Sequence, residues 1–207
     1  MRNGATKNGI YTITDTSGNS FPVYCDLTSE PRSAWTLIYS FARKNGGLPA
    51  FSTKSFTSNI VVDENSPNWQ AYRLSLSRMG HLSLVSTHVR ATTGFDEYGV
   101  DFRDYFRMKT SSLDILSTAT LNGDCKTAEF INIRGFAFTN IGVPFWHDTT
   151  KWNYHIGSST DMCGLKTSVG SVSSEDAFNF YAQYNLNFRG AKTQESTTQW
   201  WYGGYLL

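Results

Sequence analysis

The stretch that most constrains the fold covers residues 9–41 and reads GIYTITDTSGNSFPVYCDLTSEPRSAWTLIYSF. Its first run, residues 10–13, consists mainly of β-branched and aromatic residues, and a turn cluster containing Gly18 follows it. Apolar and other residues alternate over residues 21–25, and residues 35–41 are almost all strand formers. These patterns predict a hairpin followed by a third strand, with one cysteine on the second strand.

The same stretch carries a family resemblance. The motif G-x-Y-x-I, followed by F-x-V-Y-C-D-L-T and W-T-L-I, resembles the opening of the fibrinogen C-terminal (fibrinogen-related) domain. The matching residues are Gly9, Tyr11, Ile13, Phe21, Val23, Tyr24, Cys25, Asp26, Leu27, Thr28, Trp35, Thr36 and Leu37. Two differences are visible: Ser33-Ala34 stands where family members carry Gly-Gly, and no cysteine precedes Cys25.

The length of 207 residues is enough for one good core, so we expect a single fibrinogen C-terminal-like domain over residues 1–207. The predicted class is α+β, mainly antiparallel β with short helices and a loop-rich C-terminal half. Met1 leads into the hairpin without the apolar segment of a signal peptide, and family segments expected before Cys25 and beyond Leu207 are missing. We therefore expect the domain to be incomplete at both ends.

Two further segments give specific predictions. Ser66-Pro67 is typical of a helix start, and Trp69 and Tyr72 continue at helical spacing, so one or two short helices are expected before Val85. The strongest strand pattern lies within residues 126–139, where Gly135 is interpreted as a bulge.

Composition narrows the function classes. The net charge is +1, which gives no electrostatic basis for binding nucleic acid or an anionic membrane. No run is long and apolar enough to span a bilayer. Charged residues make up only 17% and aromatic residues 15%, which is typical of an extracellular β-rich or mixed domain.

The three cysteines limit the covalent structure. Cys125 and Cys163 both lie in polar, turn-rich surroundings, and we predict a disulfide bond between them. The odd count leaves Cys25 with a partner outside the chain or as a free thiol, and the resemblance implies an upstream partner. Three unpaired, buried cysteines in a cytosolic protein remain an alternative.

The segment QWWYGGY, residues 199–205, is the main candidate for ligand contact. In an extended chain these rings alternate between faces, which predicts at least one accessible ring, whereas the alternative is that Trp200 and Trp201 close the core. The segment is similar to G-G-x-W-W-Y of the family, which lies beside a pocket for acetylated or other sugars or peptide ends. We therefore predict ligand contacts at Asp161, Trp200, Trp201 and Tyr202.

A metal site and catalysis are both weakly indicated. The family usually holds Ca²⁺ in a D-x-D-type loop before a cysteine, but Asp161 is the one carboxylate close before Cys163, so we predict no cofactor and leave Ca²⁺ open. Glu175-Asp176 could substitute, although we favour a helix cap there. His147 and His155 could form an acid–base pair, but catalytic motifs are missing and we predict no enzyme activity.

The resemblance implies a secreted, extracellular recognition module of lectin type, as in innate immunity or cell adhesion. Such a module would bind carbohydrate or acetylated groups without catalysis. The alternative is an adhesion or assembly module that binds protein through the same aromatic residues and has no sugar pocket. Oligomer formation is left open.

Overall fold

The computed structural model describes residues 4–205, so the expectations about the two ends, which rest on Met1 and Leu207, lie outside the described residues. The predicted α+β class is wrong, because within this described part strands hold 41% of the residues, helices hold 9%, and eleven strands form one antiparallel sheet. The two α-helices have nine and four residues, too few to form a layer of their own. The fold is therefore β-rich.

The strands have the following bounds. In chain order they are β1 (Gly9–Thr14), β2 (Ser20–Asp26), β3 (Ser33–Ala42), β4 (Ala71–Arg73), β5 (His88–Thr93), β6 (Tyr105–Lys109), β7 (Leu121–Ile133), β8 (Phe136–Asp148), β9 (Trp152–Gly157), β10 (Asp176–Ala177) and β11 (Thr197–Tyr205). The helices are α1 (Leu76–Leu84) and α2 (Phe95–Tyr98), and short 3-10 helices cover Arg43–Asn45 and Arg189–Ala191.

The strand order across the sheet is β1-β2-β3-β11-β5-β6-β7-β8-β9-β10, and β4 pairs with β3 outside this path. The last strand in the chain, β11, therefore lies inside the sheet, between β3 and β5. Its first six residues are buried on both faces. The position of β11 between β3 and β5 consequently places the aromatic segment of residues 199–202 in the core.

The N-terminal hairpin is confirmed. β1 pairs antiparallel with β2 in a register that joins Gly9 to Cys25, and β3 follows as the third strand. The turn is closed by Asp15, whose Oδ1 accepts the backbone N–H groups of Ser17 and Asn19 at 2.8 and 2.9 Å. Cys25 is buried and unpaired within the described residues, so its partner stays a prediction.

The helix predicted after Pro67 forms only over its second half, as α1. Tyr72 instead lies in β4, where its ring is buried. The carboxamide oxygen of Asn68 accepts hydrogen bonds from the backbone N–H groups of Gln70 and Ala71 at 3.0 and 2.8 Å. This local turn competes with helix formation. The assignment of Tyr72 to a helix was therefore wrong.

The strand predicted over residues 126–139 is really two long strands joined by a tight turn. Arg134 and Gly135 connect β7 to β8 with positive φ angles of 54° and 93°, as a two-residue hairpin turn requires. Gly135 is thus a turn residue and not a bulge. β8 and β9 also extend regular structure to Gly157, so the loop-rich region begins later than the sequence predicted.

The segment covering residues 158–196 is tied to the sheet at several points. The predicted disulfide between Cys125 and Cys163 is confirmed, with a Cα–Cα distance of 5.5 Å. Arg134 at the β7–β8 turn donates from Nε to Glu175 Oε1 at 2.8 Å, and both side chains are almost fully buried. These contacts fix the position of β10 beside β9.

A buried ion network joins the β2–β3 loop to the middle of the sheet. The side chain of Arg90 in β5 has no exposed surface, and its guanidinium lies 2.5 Å from Asp26 and 2.6 Å from Glu30. The same guanidinium lies over the rings of Trp35 and Trp201, 4.5 and 4.8 Å from their centres. The charge of Arg90 is therefore satisfied entirely inside the protein.

Candidate functional site

The three aromatic residues predicted as a contact surface lie in the core. Trp200 and Trp201 have no exposed surface, and Tyr202 is 1% exposed. Trp200 Nε1 donates to the carbonyl oxygen of Phe178 at 2.7 Å. Trp201 Nε1 donates to Thr92 Oγ1 at 3.0 Å. The prediction of at least one accessible ring is wrong, because β11 has a strand on each side and is covered on both faces.

Asp161 is exposed in the loop after β9, away from these three rings. Its Oδ1 accepts the backbone N–H of Ser168 at 3.1 Å, and this hydrogen bond lowers the pKa of the carboxyl group. The structure therefore does not assemble the four predicted contact residues into one site. Thr160, the residue before Asp161, lines the cavity described next.

A cavity of about 400 Å³ lies at the end of the sheet formed by β8, β9 and β10. Three aromatic side chains form much of its wall, and a histidine, two carboxylates and three hydroxyls supply the polar groups. The lining residues are Trp146, Trp152, His155, Gly157, Ser159, Thr160, Ser174, Glu175, Asp176 and Phe180. Apolar walls with a few converging polar groups are typical of a small-molecule site.

The position of Trp146 depends on the absence of a side chain on the neighbouring strand. β8 and β9 pair so that Trp146 lies opposite His155, and the register shifts directly after Trp146. A Cβ atom at Gly157 would lie 2.8 Å from Trp146 Nε1. Glycine at this position therefore allows the ring to lie against the backbone of β9.

Trp152 forms a second wall at the start of β9. Its ring meets the imidazole of His155 edge to face, with ring centres 6.4 Å apart. The Lys151 ammonium group lies 5.6 Å from the centre of the indole. Trp152 Nε1 is buried and has no hydrogen-bond partner among the described residues.

His155 and Asp176 form the polar part of the cavity. His155 Nδ1 lies 2.8 Å from the carbonyl oxygen of Asn153, so we assign the ring proton to Nδ1 and leave Nε2 as an acceptor. Nε2 faces Asp176 Oδ1 at 3.4 Å. Burial lowers the pKa of His155 to about 4 and raises the pKa of Asp176 to about 6. At neutral pH His155 Nε2 and Asp176 Oδ1 are therefore two hydrogen-bond acceptors that face each other, and neither can donate a hydrogen bond to the other.

Glu175 holds Asp176 in place from the buried side. Its carboxylate accepts hydrogen bonds from Arg134 Nε and Ser158 Oγ, both at 2.8 Å, and from the backbone N–H of Val172 at 3.1 Å. The sequence interpretation of Glu175-Asp176 as a helix cap was wrong, because Asp176 begins the short strand β10. Glu175 is neutralised by Arg134, which leaves Asp176 as the carboxylate with no such partner.

A second cavity, of about 320 Å³, is lined in part by Tyr98, Arg103, Arg189 and Lys192. One of its charged groups is already paired, since Arg189 donates to both oxygens of Asp101 at 2.8 and 2.6 Å. This ion pair leaves Arg189 less available to a ligand than Asp176, which has no such partner in the cavity beside β10.

The acid–base pair considered for His147 and His155 is not assembled. His147 is fully buried, its ring stacks on Tyr154 at 3.9 Å, and its Nδ1 lies 2.8 Å from the carbonyl oxygen of Ala119. Burial lowers the pKa of His147, so its imidazole is neutral at pH 7. His147 is therefore a packing residue, and His155 alone faces the cavity.

No family model matches the chain, and no curated protein matches it. Within residues 4–205, no helix is long and apolar enough to cross a membrane. In the same part of the chain, no three or more His, Cys, Asp or Glu side chains are grouped so that they could hold a metal ion. The resemblance to the fibrinogen C-terminal domain and the prediction of no cofactor both stay predictions.

Proposed function

We propose that this chain is a non-catalytic recognition domain that binds a saccharide in the cavity beside β10. The observation that carries the proposal is the pairing of two tryptophan walls, Trp146 and Trp152, with the acceptor pair of His155 and Asp176. A sugar ring has one apolar face and a rim of hydroxyl donors, which suits this combination of flat aromatic walls and acceptors.

The sequence resemblance adds to this proposal. Fibrinogen-related domains include lectins, so the resemblance favours recognition over catalysis. The disulfide between Cys125 and Cys163 supports a secreted protein, because such bonds persist mainly in oxidising compartments. The same bond ties the loop that carries Thr160 to β7, which would keep the cavity wall in place without a ligand.

The proposal is tested by screening the purified domain on a glycan array, followed by calorimetry with the best saccharide. Trp152→Ala should weaken binding about tenfold or more, since it removes one stacking wall. Tyr184→Ala is the matched control, because Tyr184 is an exposed ring that packs against Arg43 outside the cavity.

Two results would reject the proposal. One is a folded domain that binds no saccharide on the array, which would favour the protein-binding alternative. The other is saccharide binding that Trp152→Ala and Tyr184→Ala weaken equally, because the site would then lie elsewhere. A calorimetric titration in EDTA would show at the same time whether binding needs a divalent cation.

A further inference from the structure

We infer that the cavity beside β10 selects ligands that carry an amine in its protonated, cationic form over ligands in which that amine is acetylated. This inference rests on the proposed function, since it names the chemical class of the saccharide. It concerns the polar end of the cavity, where Asp176 and His155 meet.

The first argument is the local charge. Asp176 has no cationic partner within hydrogen-bonding distance among the described residues, because its contacts are the His155 imidazole at 3.4 Å and the backbone N–H of Ala182 at 3.1 Å. The nearby Arg134 is committed to Glu175 at 2.8 Å. A half-buried carboxylate without a counter-ion favours a cationic ligand.

The second argument is the count of donors and acceptors. His155 uses Nδ1 to donate to the Asn153 carbonyl oxygen, so Nε2 and Asp176 Oδ1 are two acceptors 3.4 Å apart. An ammonium group has three N–H donors and can reach both acceptors at once. An acetamido group has one N–H donor and would leave one acceptor unpaired.

The third argument is the aromatic wall. Trp146, Trp152 and Phe180 line the same cavity, and the faces of such rings attract ammonium groups within about 6 Å. An ammonium group between Asp176 and these rings would be stabilised by both kinds of contact. The acetyl methyl group would gain only apolar contact with the rings.

The titratable groups around Asp176 give the inference a pH dependence. His155 faces Asp176 from β9, and the buried Glu175 precedes Asp176 in the chain. Lys151 lies over the Trp152 ring and forms no ion pair with Asp176. Protonation of Asp176 below about pH 6 would remove the charge that distinguishes the two ligands. Preference for the amine should therefore weaken between pH 7 and pH 5.

The experiment compares two oligosaccharides that differ only by acetylation. Cellotetraose tetramers that carry a 2-aminoethyl aglycone, with the amine either free or acetylated, would be titrated by calorimetry at pH 7.0 and pH 5.0, because this alkylamine is protonated at both pH values. We expect the free amine to bind at least tenfold more tightly at pH 7.0, and the ratio to fall at pH 5.0. Asp176→Asn should bring the two affinities together, whereas Asp63→Asn, at an exposed carboxylate outside the cavity, should leave the ratio unchanged.

The outcomes separate this inference from the proposed function. Equal affinities, or tighter binding of the acetylated tetramer, would overturn the inference and leave saccharide recognition standing. If neither tetramer binds, while other saccharides also fail, the proposed function is rejected. The inference is then decided by n-butylammonium against n-butanol: selective quenching of tryptophan fluorescence by the cation, lost in Asp176→Asn, supports it, and its absence overturns it.

Discussion

Replacing Arg90 with methionine should destabilise the protein strongly. Arg90 is fully buried and pairs with Asp26 at 2.5 Å and Glu30 at 2.6 Å. Methionine fills similar space but removes the charge, so both carboxylates lose a buried cation. Glu30 keeps Arg107 at 2.8 Å and the hydroxyl of Tyr105 at 2.9 Å, whereas Asp26 keeps only uncharged hydrogen-bond partners, Thr28 and Ser29.

The magnitude follows from the burial of this pair. Removing one partner of a buried ion pair costs about 3–5 kcal/mol, because the other charge stays buried without compensation. The stacking of Arg90 on Trp35 and Trp201 is lost as well. Domains of this size have unfolding free energies of about 5–15 kcal/mol, so the variant should keep only part of its stability.

The pH dependence of the loss identifies its cause. In the wild type, burial raises the pKa of Asp26, but the charge and hydrogen bond of Arg90 outweigh burial, so the net pKa is lowered. That stability is present above the unfolded pKa and is lost as the pH falls through the folded pKa. Without Arg90, burial alone raises the pKa of Asp26, and the penalty grows as the pH rises above about 4. The difference between the two proteins should therefore be largest near pH 7 and smaller at pH 4.

Urea denaturation at pH 4 and pH 7, without reductant, measures both effects. Lys44→Met is the control, because Lys44 pairs with Glu195 on the surface and its loss should cost less than about 1 kcal/mol. The reasoning fails if Arg90→Met is no less stable than Lys44→Met, or if its deficit is the same at both pH values.

Three further changes should have measurable effects. Replacing both Cys125 and Cys163 with serine should lower the unfolding free energy by about 4 kcal/mol, the closure entropy expected for a separation of 38 residues, as measured in urea. Gly157→Ala places a Cβ atom 2.8 Å from Trp146 Nε1, so thermal unfolding should show a loss of about 1–3 kcal/mol, and calorimetry should show weaker saccharide binding. Asp176→Asn should raise stability by roughly 2–3 kcal/mol at pH 7, because the pKa of this carboxyl is raised to about 6.

Each of these changes has a control and a result that would contradict it. Gly47→Ala is the control for Gly157→Ala, since a Cβ at Gly47 meets nothing within 4 Å; equal effects of the two would refute the steric argument. Cys25→Ser controls for the loss of a thiol, and it should cost less than the double cysteine variant. The gain in Asp176→Asn should vanish near pH 4, where the wild-type carboxyl is protonated in the folded protein, and a gain that persists there would contradict the sign of the pKa shift.

The parts of the fold that could be predicted from the sequence depend on local interactions. The β1–β2 hairpin was predicted because its alternation and its turn at Asp15 lie within one short stretch. The helix after Pro67 was misplaced because Asn68 captures two backbone N–H groups, and the pairing of β4 with β3 then determines the position of Tyr72. Apolar spacing cannot reveal such a pairing between distant strands.

The site could not be predicted because it depends on which strands become neighbours. Alternation predicted at least one accessible ring among Trp200, Trp201 and Tyr202. It describes a strand with one covered face, however, and both faces of β11 are covered. The actual candidate wall, Trp146 and Trp152, lies on adjacent strands, and Asp176 joins it only through β10. A signal was present, since two tryptophans and His155 fall within ten residues, but it was interpreted only as a weak acid–base pair.

The state of Asp176 gives an argument for function that needs no relative of this chain. A carboxylate whose pKa is raised to about 6 destabilises the folded protein at neutral pH, and asparagine would remove that cost. By contrast, Glu175 beside it is buried more deeply yet satisfied by Arg134 and Ser158. Residues that reduce the stability of the folded protein and make no compensating structural contact are typical of binding sites. A variant at Asp176 that gains stability and loses discrimination between amine and acetamide would therefore link the energetic cost directly to recognition.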